Sequence, residues 1–95
     1  MVLGVLKVEL FFPENNSLKE KRQYVRSIKD KVRSSFNVSV AEVEYQELWQ
    51  RTSIAFACVA SERSIAEDTL SRVKKLLERH YPEFLLDLKL DFIRL

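Results

Sequence analysis

The sequence is poor in the residues that build flexible loops, disulfides and several common active sites. Its 95 residues include one glycine, two prolines, one cysteine and one histidine. A single glycine leaves no glycine-rich phosphate loop, and a single cysteine excludes an internal disulfide or a paired-cysteine metal site. The 46% hydrophobic and 32% charged composition is typical of a globular protein. We therefore predict one folded domain spanning residues 1–95, in a reducing compartment.

The first residues also lack the features of a targeting segment. MVLGVLKVELFF has neither the basic start nor the small-residue cleavage site of a signal peptide. Its apolar run is far shorter than the about 20 residues that cross a bilayer. We therefore expect a soluble cytoplasmic protein with no membrane role.

Hydrophobic periodicity predicts six elements in close succession. Four segments alternate in the manner of strands: residues 2–12, 37–45, 53–60 and 84–94. Apolar residues at helical spacing predict two helices, over 17–35 and 64–80. With right-handed crossovers, this order predicts an α+β, ferredoxin-like βαββαβ sandwich. Its four-stranded antiparallel sheet carries both helices on one face and leaves the other face open.

Local signals refine these boundaries. Ser17 with Glu20, and Ser64 with Glu67, have the spacing of a capping box and predict two helix starts. The alternation in the second strand changes phase after Val40, which predicts a β-bulge near Ala41 or Glu42.

Three segments of the chain are distinctive: SLKEKR at the first helix start, FNVSVAEV at 36–43 and WQR at 49–51. With them the chain resembles the YlxP-like family, domain of unknown function 503. The resemblance covers essentially the whole chain, with the second helix and last strand matching by pattern. It implies a ferredoxin-like fold and a small bacterial cytoplasmic protein, whose genes often lie near those for translation initiation and ribosome-binding factors. It implies no established activity and no set of catalytic residues.

The densest positive charge lies in the first predicted helix. Residues 17–33 hold seven Lys and Arg against two acids, a local charge of +5, so the rest of the chain sums to −3. Five of these cations recur three or four residues apart and form one stripe along the helix: Lys19, Arg22, Arg26, Lys29 and Arg33. Stacked like charges destabilise a helix, and cations in its first turn oppose the dipole. The pattern indicates an anionic partner, and we predict RNA or a ribosomal particle bound through its phosphates.

Two other interpretations of this basic stripe remain open. The cations can lie on a solvated helix face that Glu42, Glu44 or Glu47 partly neutralises from neighbouring elements. They can also bind an acidic protein partner instead of a nucleic acid.

Lys21 differs from the stripe because its direction falls on the apolar side of the helix. It either lies at the edge of the core with its amine reaching to water, or joins the unpaired N–H groups of the first turn. In the second case Asn15, Asn16 and Ser17 form an anion-binding turn, and a bound phosphate offsets the clash between first-turn cations and the dipole. We predict Lys21 as an auxiliary nucleic-acid contact.

Trp49 and Arg51 lie at the connection between the second and third predicted strands. Trp49 either caps one end of the core or stacks on a base. Arg51 beside it favours the surface interpretation, because both residue types are enriched at interfaces. We predict both as nucleic-acid contacts.

The open sheet face lacks the stacking aromatics that RNA-recognition domains present there. The candidate interface on this face is Val5, Ala55, Ala57 and Val59. Small apolar residues on an uncovered face give a second hypothesis, a protein-interaction module that dimerises through this face without a nucleic-acid role. The charged residues at the margin are predicted to form cross-strand pairs: Lys7, Glu9, Asp87, Lys89 and Asp91.

The sequence offers no convincing catalytic set. His80 falls near a helix C-terminus, where a cation suits the dipole, and Cys58 falls on the inward face of a strand. Acylphosphatases share the predicted fold and use an arginine and an asparagine, as Arg22 and Asn16 would supply, but their glycine-bearing phosphate loop is absent. We therefore expect no enzyme activity, no cofactor and no metal.

Overall fold

The six predicted elements are present in a computed structural model, which describes residues 1–95. They are β1 (Val2–Phe11), α1 (Leu18–Ser35), β2 (Ser39–Glu44), β3 (Arg51–Ala60), α2 (Arg63–His80) and β4 (Leu85–Arg94). The strands pair antiparallel in the order β2-β3-β1-β4, so β2 and β4 form the two edges of the sheet. The predicted ferredoxin-like α+β arrangement is confirmed. Neither helix is long and apolar enough to cross a membrane.

The core lies between the sheet and the two helices. The period-2 alternation of β1 sends Leu6, Val8 and Leu10 toward the helices, and each is at most 1% exposed. β3 contributes Ile54, Phe56 and Cys58 from the same face, and the helices contribute the stripes predicted from their spacing. The prediction that Cys58 packs in the core is confirmed. Burial raises the pKa of its thiol, which favours the unreactive protonated form.

Gly4, the only glycine, lies beneath α2. A Cβ at this position would lie 2.8 Å from Leu70 Cδ1, and 3.3 Å from both Ala66 Cβ and Phe92 Cε1. Leu70 and Ala66 are fully buried, so neither side chain has open space into which it can move. The close packing of α2 on β1 therefore favours glycine here.

Gly4→Ala should lower the free energy of unfolding by about 1–3 kcal/mol, because the added methyl group overpacks a filled site. Urea unfolding followed by circular dichroism measures this change. Val59→Ala, on the exposed side of the neighbouring strand, is the control and should change stability by less than about 0.5 kcal/mol. A Gly4→Ala variant as stable as the wild type would contradict the close approach of α2 to β1.

Two local predictions differ from the structure. The register shifts between Glu42 and Glu44, so the bulge is at Val43, one residue later than the sequence indicates. The second capping box is wrong: α2 begins at Arg63 with Glu62 as N-cap, and no side chain caps it. Ser64 therefore lies inside the first turn, where its hydroxyl cannot serve as the N-cap acceptor.

Candidate nucleic-acid interface

The basic stripe of α1 is fixed by the residues that the helix buries. Lys21, Val25, Ile28 and Val32 recur every three or four positions and face the interior. The stripe lies on the flank beside them. Lys29 is half-buried, and the other four members of the stripe are exposed: Lys19, Arg22, Arg26 and Arg33. The helix thus presents a row of cations on its outer side, as the spacing predicts.

None of the five stripe cations has a carboxylate oxygen within 4.0 Å of its charged nitrogen atoms. The one hydrogen bond from the stripe to the rest of the protein runs from Arg33 Nη2 to the Val40 carbonyl, at 3.2 Å. Glu42 pairs with Lys21 and Glu44 pairs with Lys7, so two of the expected neutralising carboxylates are engaged elsewhere. No stripe cation therefore forms a direct ion pair with the protein's own acids, and the first alternative interpretation, a solvated helix face, stays a prediction.

A shallow groove runs along this flank between α1 and β2. Four stripe cations, two acids and one apolar residue line the groove. They are Arg22, Arg26, Lys29 and Arg33, then Asp30 and Glu42, and Val25. The two acids leave the groove with a surplus of positive charge. A second shallow surface continues past Arg22 and Arg26 to Lys19. Together they form one cationic strip at the β2 edge of the molecule.

Lys21 does not belong to this strip, and both sequence interpretations of it are wrong. Its side chain is 1% exposed, with Nζ 2.8 Å from Glu42 Oε2 and a further hydrogen bond donated to the Tyr45 carbonyl. Thr52 Oγ1 also donates to Glu42 Oε2. Lys21 therefore neither reaches water nor joins an anion pocket, and it is unavailable to a nucleic acid.

The bulge in β2 explains this buried ion pair. Glu42, before the bulge, faces α1, and Glu44, after it, faces the open side of the sheet. Tyr45 then adopts the left-handed backbone region, with φ of 63°, which is uncommon for a residue other than glycine. In this conformation its carbonyl accepts a hydrogen bond from Lys21. Lys21 thus ties the first turn of α1 to the end of β2.

The predicted anion-binding turn is also wrong, because a carboxylate of the chain already occupies it. Ser17 Oγ accepts a hydrogen bond from Glu20 N at 3.2 Å, which confirms Ser17 as the N-cap. Glu20 Oε2 accepts one at 3.1 Å from Asn16 N, one residue before the N-cap N–H that a capping box uses. Asn15 is 4% exposed, and its Nδ2 donates to the Trp49 carbonyl. Glu20 therefore supplies the negative charge near the helix N-terminus for which the sequence suggested a bound phosphate.

Arg51 lies on the open sheet face and is engaged within the protein. Its Nη2 is 2.7 Å from Glu9 Oε2, and its guanidinium carbon lies 4.5 Å from the centre of the Tyr45 ring. The hydrogen bond to Glu9 raises the pKa of Arg51 above its usual value. These contacts correct the prediction that Arg51 binds a nucleic acid.

Trp49 is 54% exposed, so the interpretation that it caps the core is wrong. It lies in the β2–β3 connection near the N-terminus of α1, where its carbonyl accepts the Asn15 hydrogen bond. Its role as a base-stacking residue stays a prediction.

The charged residues of the open face pair differently from expectation. The β1–β4 register places Lys89 opposite Lys7 and Asp87 opposite Glu9, so like charges face each other. On the same face of the sheet, Lys7 pairs instead with Glu44 of β2, and Glu9 pairs with Arg51 of β3, both on the other side of β1 from β4. The hydrogen bond to Glu44 raises the pKa of Lys7. The predicted charge pairs between β1 and β4 are therefore wrong, and Lys89 and Asp87 have no ion-pair partner.

The candidate interface residues of the open face differ in how exposed they are. Of the candidate interface residues, Val59 is 68% exposed, and Val5, Ala55 and Ala57 are half-buried. Fully buried Ser53 lies in the charged half, and its hydroxyl has no hydrogen-bond partner. Val59 is therefore the most exposed of the four candidate interface residues.

Comparison with known proteins agrees with the resemblance in the sequence. Residues 3–90 match the family described as "Protein of unknown function (DUF503)". The chain belongs to the DUF503 family. It is also similar to a Bacillus subtilis (strain 168) protein, "Uncharacterized protein YlxP", with 39% identity over 82 residues that cover 86% of this chain and 88% of that protein.

Solved structures resemble this DUF503 chain in fold alone. The de novo designed protein Foldit4 has a TM-score of 0.56 at 10% identity and covers 99% of this chain and 97% of its own. Protein Atu4242 from Agrobacterium tumefaciens has a TM-score of 0.54 at 8% identity, with 99% and 92% covered. Identities this low show a shared architecture and carry no function.

Proposed function

We propose that this DUF503 protein is a non-enzymatic protein that binds the phosphate backbone of RNA, free or within a ribosomal particle, through the basic stripe of α1. The observation that carries the proposal is the absence of any carboxylate within 4.0 Å of the five stripe cations. A chain with 14 acids pairs Lys7, Lys21 and Arg51 internally, yet leaves this row unpaired.

The dimensions of the stripe suit a row of phosphates. Lys19 and Arg33 are 14 residues apart in one helix, and at about 1.5 Å per residue the row is roughly 21 Å long. Three of its five members are arginines, whose planar fork binds phosphate oxygens in pairs. Contacts of this kind position an RNA without reading its sequence, so we expect low sequence specificity.

Salt should weaken the binding steeply. With four or five phosphate contacts, the logarithm of the affinity for an RNA hairpin should fall against the logarithm of salt concentration with a slope of about −3 to −4.5. Fluorescence anisotropy between about 50 and 200 mM salt measures it. A hairpin of scrambled sequence and equal length is the control and should bind with similar affinity. A slope near zero, or strong preference for one sequence, would contradict backbone binding by the stripe.

A further inference from the structure

The two edges of the sheet differ in how well they resist pairing with another strand. β2 has six residues and a bulge at Val43, features that blunt an edge. β4 has ten residues, and its one irregularity falls at Leu86, near its start. From Asp87 to Arg94 it pairs with β1 without interruption. β4 is therefore the edge that offers a regular backbone to a partner.

The backbone groups that β4 turns outward can be assigned from one hydrogen bond. Leu95 N donates to the Met1 carbonyl at 2.9 Å, and hydrogen-bonding direction alternates along an antiparallel strand. The N–H and C=O groups of Leu88, Leu90 and Phe92 therefore point away from β1.

The side chains of these residues form an apolar row on the helix side of β4. Leu90 is 39% exposed and lies outside the core cluster, whereas Leu88 and Phe92 are partly buried against it. On the opposite side of β4, Asp87, Lys89 and Asp91 alternate in sign. Within the chain, Lys89 faces Lys7 and Asp87 faces Glu9. The β1 residues opposite Lys89 and Asp87 therefore carry like charges, not opposite ones.

We propose that β4 pairs antiparallel with β4 of a second copy of the chain, with a two-fold axis at Leu90, to form a continuous eight-stranded sheet. In this register Lys89 lies opposite the partner's Asp91, and by symmetry Asp91 lies opposite the partner's Lys89. Leu90 meets its own copy, and Leu88 lies opposite the partner's Phe92. At the centre of this pairing both rows of β4 are matched, because Lys89 meets an opposite charge and Leu88 and Leu90 meet apolar side chains.

Neighbouring registers are disfavoured by the same residues. An axis at Lys89 places that lysine against its own copy and Asp87 against the partner's Asp91. An axis at Asp91 places that carboxylate against its own copy. An axis at Leu88 pairs Lys89 with the partner's Asp87, but it sets Leu90 against the irregularity at Leu86. Of these four registers, the one centred on Leu90 sets opposite charges against each other and avoids the irregularity.

The pairing would leave the basic stripes of both copies unobstructed. A two-fold axis perpendicular to the sheet keeps all helices on one side, and β2 with its adjacent stripe stays at each outer edge. The two β2 strands would be separated by seven strand spacings of about 4.8 Å, roughly 34 Å along the sheet. The inference does not depend on RNA binding, because it follows from β4 alone.

A charge-swap series tests the register. Sedimentation equilibrium of the full chain should show a dimer, which Lys89→Asp or Asp91→Lys alone weakens about tenfold or more, because each change makes two like-charge contacts. The double variant Lys89→Asp/Asp91→Lys should restore wild-type association to within about threefold. Asp87→Lys is the matched control: its predicted neighbour is the partner's Ile93, so association should stay within about threefold of the wild type.

Three results would overturn the proposal. The first is a wild type that stays monomeric at about 1 mM protein. The second is a swapped double variant that associates as weakly as the single variants. The third is a dimer that Ala57→Arg dissociates and Lys89→Asp leaves intact, because that result would place the contact on the open sheet face. Urea unfolding of each variant checks that its monomer is folded. The charged side chains that are replaced are exposed. A charge variant that no longer associates should therefore still be folded.

Discussion

Arg22→Glu/Arg26→Glu should reduce the affinity for an RNA hairpin by about 100-fold or more at low salt, because two phosphate contacts become two repulsions. The slope of affinity against salt should also decrease in magnitude by about two. Both arginines are exposed and form no ion pair within the chain, so the fold should persist. Fluorescence anisotropy gives the affinity, and circular dichroism checks the fold.

The matched control is Lys74→Glu/Lys75→Glu on α2. These lysines are also exposed and unpaired, and the variant changes the net charge by the same amount. If the stripe carries the binding, this control should lose much less affinity than the α1 variant. Equal losses in the two variants would indicate general attraction to net charge and would contradict a defined site on α1.

Lys21→Ala should lower the free energy of unfolding by about 3–5 kcal/mol, because removing one partner of a buried ion pair leaves the other charge uncompensated. Lys21 is 1% exposed, and its loss deprives Glu42 Oε2 and the Tyr45 carbonyl of their common donor. Urea unfolding measures the change. The effect should be large in a chain of 95 residues, whose total stability is typically about 5–15 kcal/mol.

Two further variants isolate the cause. Lys19→Ala removes a lysine from the same helix turn, but its side chain is exposed, so stability should change by less than about 0.5 kcal/mol. Lys21→Met/Glu42→Leu replaces the pair by apolar groups and should recover a large part of the loss. A Lys21→Ala variant within about 1 kcal/mol of the wild type would show that the pair does not hold α1 to β2.

The fold could be predicted from sequence because its signals are local and agree with one another. The alternation in β1 and the helical spacing of Val25, Ile28 and Val32 each specify both an element and its buried face. The bulge was also detectable, since an extra residue reverses the alternation. Its location was off by one, because the alternation reveals a phase change without showing which residue is unpaired.

The contacts of individual charges were less predictable, because they depend on register and on elements distant in sequence. Lys21 lies on the apolar side of its helix, and Glu42 lies beside the predicted bulge. Only the packing of α1 on β2 brings them to 2.8 Å. Arg51 likewise finds Glu9 through the β1–β3 register. A lysine in an apolar stripe beside an acidic bulge residue was the one available signal of a buried pair.

The outward-facing basic stripe is the central claim, and mapping an RNA footprint by NMR tests it most directly. Adding an RNA hairpin to the isotopically labelled chain should shift the backbone amide signals along one flank of α1, around Lys19, Arg22, Arg26, Lys29 and Arg33. The signals of β4 and of Lys74 on α2 should stay in place. Shifts centred on the open sheet face, or no shifts at several-fold excess of RNA at low salt, would contradict it.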